Sequence, residues 1–122
     1  LQAKAVARQM VSEDVVFVVG HLCSACSIAT SKIYEEAGII MITPASTNPK
    51  VTDEGGPNVF RLSGRDDQQG IIAGDYLADN YSKSKIAIIH DGQAYGLGLA
   101  EFTKRQLNKR GITEVMFDSG FS

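Results

Sequence analysis

Two cysteines three positions apart, in the segment GHLCSACS over residues 20–27, are the first residues of this chain that could do chemistry. Cys23 and Cys26 form a C-x-x-C pair, and at a helix N-terminus such a pair has the lowered thiolate pKa of a redox dithiol. With His21 they also offer up to three ligands to a metal. A thioredoxin-like site, however, expects aromatic and proline neighbours that are absent here, and zinc would want a second C-x-x-C, which the chain lacks. The third reading is the lip of a small-molecule pocket. Ser24, between the cysteines, would then offer its backbone N–H and hydroxyl to a carboxylate or phosphate at the start of a helix; as a plain N-cap it would need no ligand.

Other polar residues suit the pocket reading. Ser46 and Thr47 lie between Pro44 and Pro49, whose fixed backbone would hold both hydroxyls and the Ala45 carbonyl in one direction; a Ser/Thr-stabilised turn is the alternative. Tyr95, beside Gly96, could lay an aromatic face over a ligand or staple the start of a helix. No enzyme constellation accompanies them. His90 and Asp91 end a strand and should point to opposite faces, there is no G-x-S-x-G elbow or phosphate loop, and Gly92, Gly96 and Gly98 lack dinucleotide spacing.

The elements that must position these residues are set by periodicity. Ala3, Val6, Ala7, Met10 and Val11 recur at one face of a helix over residues 1–12, and Val15 to Val19 form a β-branched and aromatic strand. A helix capped by Ser24 or Ser27 runs to Ala37, with Gly38 as its left-handed stop. A second strand spans 38–43, a turn-rich loop fills 45–58, and a short strand covers 59–62. SGRDD, 63–67, caps a helix from about Gln68 to Tyr81. A third strong strand over 85–92, a helix from Gly96 to Arg110 stopping at Gly111, and a last strand over 114–120 complete the order. The alternation predicts an α/β fold of doubly wound parallel-sheet units, and the continuous apolar strands predict sheets covered by helices on both faces. In such sheets, ligands sit beyond the carboxyl ends of the strands, which picks out GHLCSACS, TPASTNP and HDGQAYGLG. A helix first and a strand last lead us to expect a piece of something longer.

Composition narrows the classes further. Twelve basic and fourteen acidic side chains give a net charge of −2, with 43% hydrophobic residues and 21% charged. That is an ordinary globular balance, without the basic face of a nucleic-acid binder. Apolar runs fall far short of a membrane span. Two cysteines make no disulfide framework.

Taken together, VVGHLCSACSIATSKIYEEAGIIMITPASTNPKVT, FRLSGRDDQQG and KIAIIHDGQAYGLGLAEFTKRQL resemble the branched-chain amino-acid (leucine/isoleucine/valine) binding proteins of bacterial ABC transporters, type I periplasmic solute-binding proteins. The resemblance implies a non-enzymatic receptor without cofactor or metal, two-lobed, with the amino acid in a cleft between the lobes. Residues 1–64 would belong to the first lobe and 65–122 would begin the second. Ser24 matches a ligand for the amino-acid carboxylate, and Thr47 one for carboxylate and amino group. Ala45 matches a carbonyl that accepts from the ammonium, with Ser46 next to it. Leu22 and Cys23 match pocket-lining residues, and Tyr95 an aromatic that closes over the ligand. The partners implied are a small amino acid and a membrane permease, and the place is the periplasm or cell exterior; a sensory ligand-binding domain of the same fold is the rival reading. In the family the cysteine at position 23 usually pairs upstream of this segment, so here it is free, paired with Cys26, or bridging molecules. Ser46 replaces a frequent alanine and Cys26 a frequent hydroxyl residue. A segment spanning two lobes should bind ligand weakly on its own and self-associate.

Overall fold

Three helices of this protein end in the same way, and each ending turns the chain toward its next strand. A computed structural model describes residues 2–120. Helix α1, Gln2–Ser12, closes with Val15 N–H donating to the Met10 carbonyl at 3.1 Å while Asp14 takes a left-handed φ of 54°. Helix α2, Ser24–Glu36, closes with Ile39 N–H on the Tyr34 carbonyl at 2.9 Å around Gly38, φ 69°. Near the other end of the chain, Ile112 N–H bonds the Leu107 carbonyl at 3.2 Å around Gly111. These are Schellman closures, in which the residue after the left-handed position is apolar and turns the chain back to the core. The glycines at 38 and 111 signal this in the sequence; Asp14 is a less obvious signal, since Asp only tolerates the left-handed region.

The described residues fall into two compact units that divide between Gly64 and Arg65. In the first, strands β1 (Phe17–Val19), β2 (Ile40–Thr43) and β3 (Val59–Arg61) form a parallel sheet in that order. The register pairs Phe17 with Ile40 and Thr43 with Arg61. One face is packed: Val18, Met41 and Val59 meet Ala7 of α1, Tyr34 of α2 and Val51 of the single-turn helix α3 (Lys50–Asp53). The other face is bare, with Phe17 45%, Val19 74% and Phe60 49% exposed.

In the second unit, β4 (Ala87–Ile89) and β5 (Met116–Asp118) pair in parallel. Ala78 of helix α4 (Asp66–Tyr81) and Leu107 of helix α5 (Ala94–Lys109) pack with Ile86 and Ile88, while Ile89 and Met116 remain exposed. The expectation of sheets covered on both faces is therefore corrected. The strands do read as apolar on both sides, but the helices of the described residues cover one face of each sheet. Two boundaries also move. Helices α4 and α5 each start two residues earlier than expected, with Asp66 and Asp67 in the first turn of α4, where their charge suits the dipole.

Candidate functional site

Parallel β1, β2 and β3 all end on one edge of the sheet, and the loops leaving β1 and β2, with the start of α2, carry six of the seven residues that the family resemblance assigns to a ligand. Helix α2 begins at Ser24, so the N-cap is Cys23 rather than Ser24 or Ser27. The Cys23 sulfur accepts from the Cys26 N–H at 3.3 Å, which leaves the serine inside the first turn. As first helical residue, Ser24 has an N–H with no partner within the helix. Cys23 and Cys26 are joined as a disulfide, Cα to Cα 5.3 Å, which settles the open question of their pairing. His21 is not drawn toward them: its Nε2 lies 3.0 Å from the Tyr34 hydroxyl. Among the described residues no group of three or more His, Cys, Asp or Glu converges as metal ligands would.

The two loops are tied by a knot of hydroxyls. Thr43, fully buried at the end of β2, donates to the His21 carbonyl at 2.6 Å and accepts from the N–H groups of Ala45 and Ser46 at 3.3 and 3.0 Å. Ser46 Oγ lies 2.8 Å from Ser27 Oγ, 3.0 Å from the His21 carbonyl and 3.2 Å from the Leu22 carbonyl. Its hydroxyl is thus committed inside the protein. Ser24 is 1% exposed, and its Oγ accepts from the Asn48 N–H at 3.2 Å. Thr47 differs from all of these: its Oγ1 is buried with no hydrogen-bond partner among the described residues. A buried hydroxyl in that state costs about 1–3 kcal/mol, which a bound polar group would recover. Leu22, in the first loop, stands 78% exposed, an apolar side chain held out from the fold. Tyr95 belongs to the second unit, in the first turn of α5, 48% exposed. Thr43 and Asn48 were not singled out from sequence, and Ser27 only as an alternative N-cap. Only their placement at strand and helix ends, a position rather than a motif, could have marked them.

These loops lie within the segment, residues 2–119, that matches the Periplasmic binding protein family. The chain belongs to that family. The periplasmic-binding chain is 52% identical over 118 residues to an amino acid binding protein of Pseudomonas aeruginosa, covering 96% of this chain and 32% of the relative. It is 48% identical over 117 residues to a Leu/Ile/Val-binding protein homolog of Brucella abortus, again 96% of the chain and 32% of the relative. Among solved structures it matches a leucine-binding protein of Thermotoga maritima at 33% identity, with a TM-score of 0.84 over 97% of this chain and 35% of that one. The chain thus spans about a third of the length of the relatives it matches. Its fold, α/β with parallel strands, is that of type I periplasmic binding proteins.

Burial lowers the pKa of His21 from its ordinary 6.5, because the half-buried ring loses solvation when charged. Below pH 6.5 the unfolded chain takes up this proton before the folded one does, so stability falls as pH drops through that value toward the depressed folded pKa. Glu114, which Lys104 holds below its usual range, titrates outside this window. Urea midpoints should therefore drop between pH 7 and pH 5, and His21→Gln should flatten the drop; an equal slope in the variant would refute the assignment.

Proposed function

We propose that this periplasmic binding protein serves as the substrate-binding component of an ABC-type importer for branched-chain amino acids, acting outside the cytoplasmic membrane with a membrane permease as partner and without catalysis of its own. The observation that carries the reading is the buried, unpartnered Thr47 hydroxyl on the loop that Ser24 also reaches through Asn48. The names of the Leu/Ile/Val-binding and leucine-binding relatives support the ligand class. In this reading residues 1–64 form part of one lobe and 65–122 the start of another.

The chemistry is that of an amino acid held at its polar end. Because Ser24 Oγ already accepts from Asn48 N–H, its own proton is available to donate to a carboxylate, and the first N–H groups of α2 add the positive end of the helix. Thr47 Oγ1 completes the carboxylate contacts and, with the Ala45 carbonyl, meets the ammonium. Leu22 and the Cys23 side of the disulfide offer apolar surface to a hydrocarbon side chain. Ser46 serves this site through the loop rather than by its own hydroxyl.

Calorimetric titration of the complete two-lobed protein with L-leucine tests the reading. Ser24→Ala should weaken binding at least about tenfold, the consequence of losing a hydrogen bond to a charged group. Unchanged leucine affinity in that variant would sink it.

A further inference from the structure

Ser24 is held by a residue that is itself held. The Asn48 N–H that meets Ser24 Oγ belongs to a residue whose carbonyl accepts from Arg61 Nη1 at 3.2 Å, and Nη2 of the same guanidinium donates to Thr52 Oγ1 at 3.1 Å. Asn48 also accepts, through Oδ1, from the Lys50 N–H at 3.0 Å as α3 begins. Arg61 ends β3 and stands in register with Thr43 of β2. The fork is therefore anchored in the sheet rather than in the loop it grips.

We infer that Arg61 is a positioning residue for the carboxylate end of the candidate site, acting on Ser24 through the backbone of Asn48; this rests on the ligand reading proposed above. The loop from Pro44 to Pro49 is clamped at both ends by neighbouring strands. At its start Thr43 binds the N–H groups of Ala45 and Ser46, and at its end Arg61 binds the Asn48 carbonyl. Between the clamps lie Ala45 and Thr47. A hydroxyl has one proton to give, and its direction is fixed only if its acceptor contact is fixed. Releasing Asn48 would let the Ser24 hydroxyl turn, and groups preorganised for a ligand lose affinity when they must be ordered on binding. The geometry needs a planar fork with two donors at a set spacing, which the single ammonium of a lysine does not provide.

The test is a double-mutant cycle in the complete protein, read by calorimetry with L-leucine and with leucinamide, which lacks the carboxylate. Arg61→Met should weaken leucine binding by about five- to tenfold, the range of one hydrogen bond, and Arg61→Lys should behave similarly. In a Ser24→Ala background the further loss from Arg61→Met should shrink below about twofold, because the group it positions is gone. Leucinamide affinity should change little in either single variant. A structural role alone would instead weaken both ligands and would add in full to Ser24→Ala. If Ser24→Ala leaves leucine binding intact, the ligand reading itself fails. If Ser24→Ala weakens it while Arg61→Met does not, or the two losses add in full, Arg61 has no positioning role and the ligand reading stands. Should Arg61→Met not fold, Thr52→Val removes one acceptor of the fork: about a twofold loss that vanishes with Ser24→Ala supports the inference, and no loss or an additive loss overturns it.

Discussion

Gly70→Val should destabilise the second unit by about 3 kcal/mol or more, measured by chemical denaturation, because there is no room for any side chain where α4 crosses α5. A Cβ at position 70 would sit 2.3 Å from the Phe102 Cβ and 2.8 Å from both the Phe102 carbonyl carbon and the Thr103 nitrogen. Two of those three atoms are backbone, so no rotamer change relieves the contact and the helices must separate. Gly74, one turn on, faces the Gln106 side chain at 2.6 and 2.9 Å and the Leu107 nitrogen at 2.9 Å from an added Cβ. Together they form a groove in α4 into which α5 sinks, bringing Leu107 to complete burial against Ala78 and Ile86. A glycine inside a helix costs about 1 kcal/mol relative to alanine, so replacement would be stabilising if packing were indifferent. The matched control is Gly64→Ala, with nothing within 4 Å of the added Cβ, which should shift stability by less than about 0.5 kcal/mol. Equal effects at the two positions would rule out close helix approach as the reason for Gly70.

The glycine pair also marks where sequence stops being informative. Periodicity places α4 and its end, yet QGIIAGDY reads as an ordinary helix with two weak positions, because the partner that makes them necessary lies in a distant part of the chain. The same limit applies to the sheets. Val15–Val19 and Ile39–Thr43 are apolar on both faces, and that is legible as parallel strands; which faces the chain's own helices cover depends on where α1 and α2 both pack, and that is a tertiary fact. Helix α3 escaped notice because four residues behind a proline show no periodicity. At the site, Ser24, Ala45 and Thr47 were legible as small and hydroxyl residues after strand ends, sharpened by the family resemblance. What the strand-end rule could not supply is direction. Ser46 and Thr47 are adjacent and chemically alike, but one hydroxyl is bound to Ser27 and the backbone while the other is buried without a partner among the described residues. Alternating side-chain direction along an extended loop is enough to separate them, but which goes inward depends on the His21 carbonyl, a backbone atom that no residue type reveals.

That carbonyl leads to Thr43→Val, expected to cost about 2–4 kcal/mol in the first unit although the two side chains are nearly the same shape. The hydroxyl of Thr43 serves three backbone groups: it donates to the His21 carbonyl at 2.6 Å and accepts from the Ala45 and Ser46 N–H groups. Thr43 is fully buried and Ser46 nearly so, so water does not replace the bond to the Ser46 N–H. Each buried group left unpaired costs about 1–3 kcal/mol, and one of the three, the carbonyl, keeps the Ser46 hydroxyl as a second donor. Thr43→Ser separates polarity from packing. It keeps the hydroxyl and loses one methyl, so its cost should be about 1 kcal/mol, well under that of valine. The comparison also bears on function. Without the Thr43 hydroxyl, the first loop, which carries Leu22, and the helix start at Ser24 are held against the second loop, which carries Ala45 and Thr47, by the Ser46 and Asn48 bonds alone. Leucine affinity of the complete protein should then fall in Thr43→Val while remaining close to normal in Thr43→Ser. If serine proves as costly as valine in stability, the methyl packing and not the hydroxyl holds the loops, and the site owes its geometry to something other than this knot.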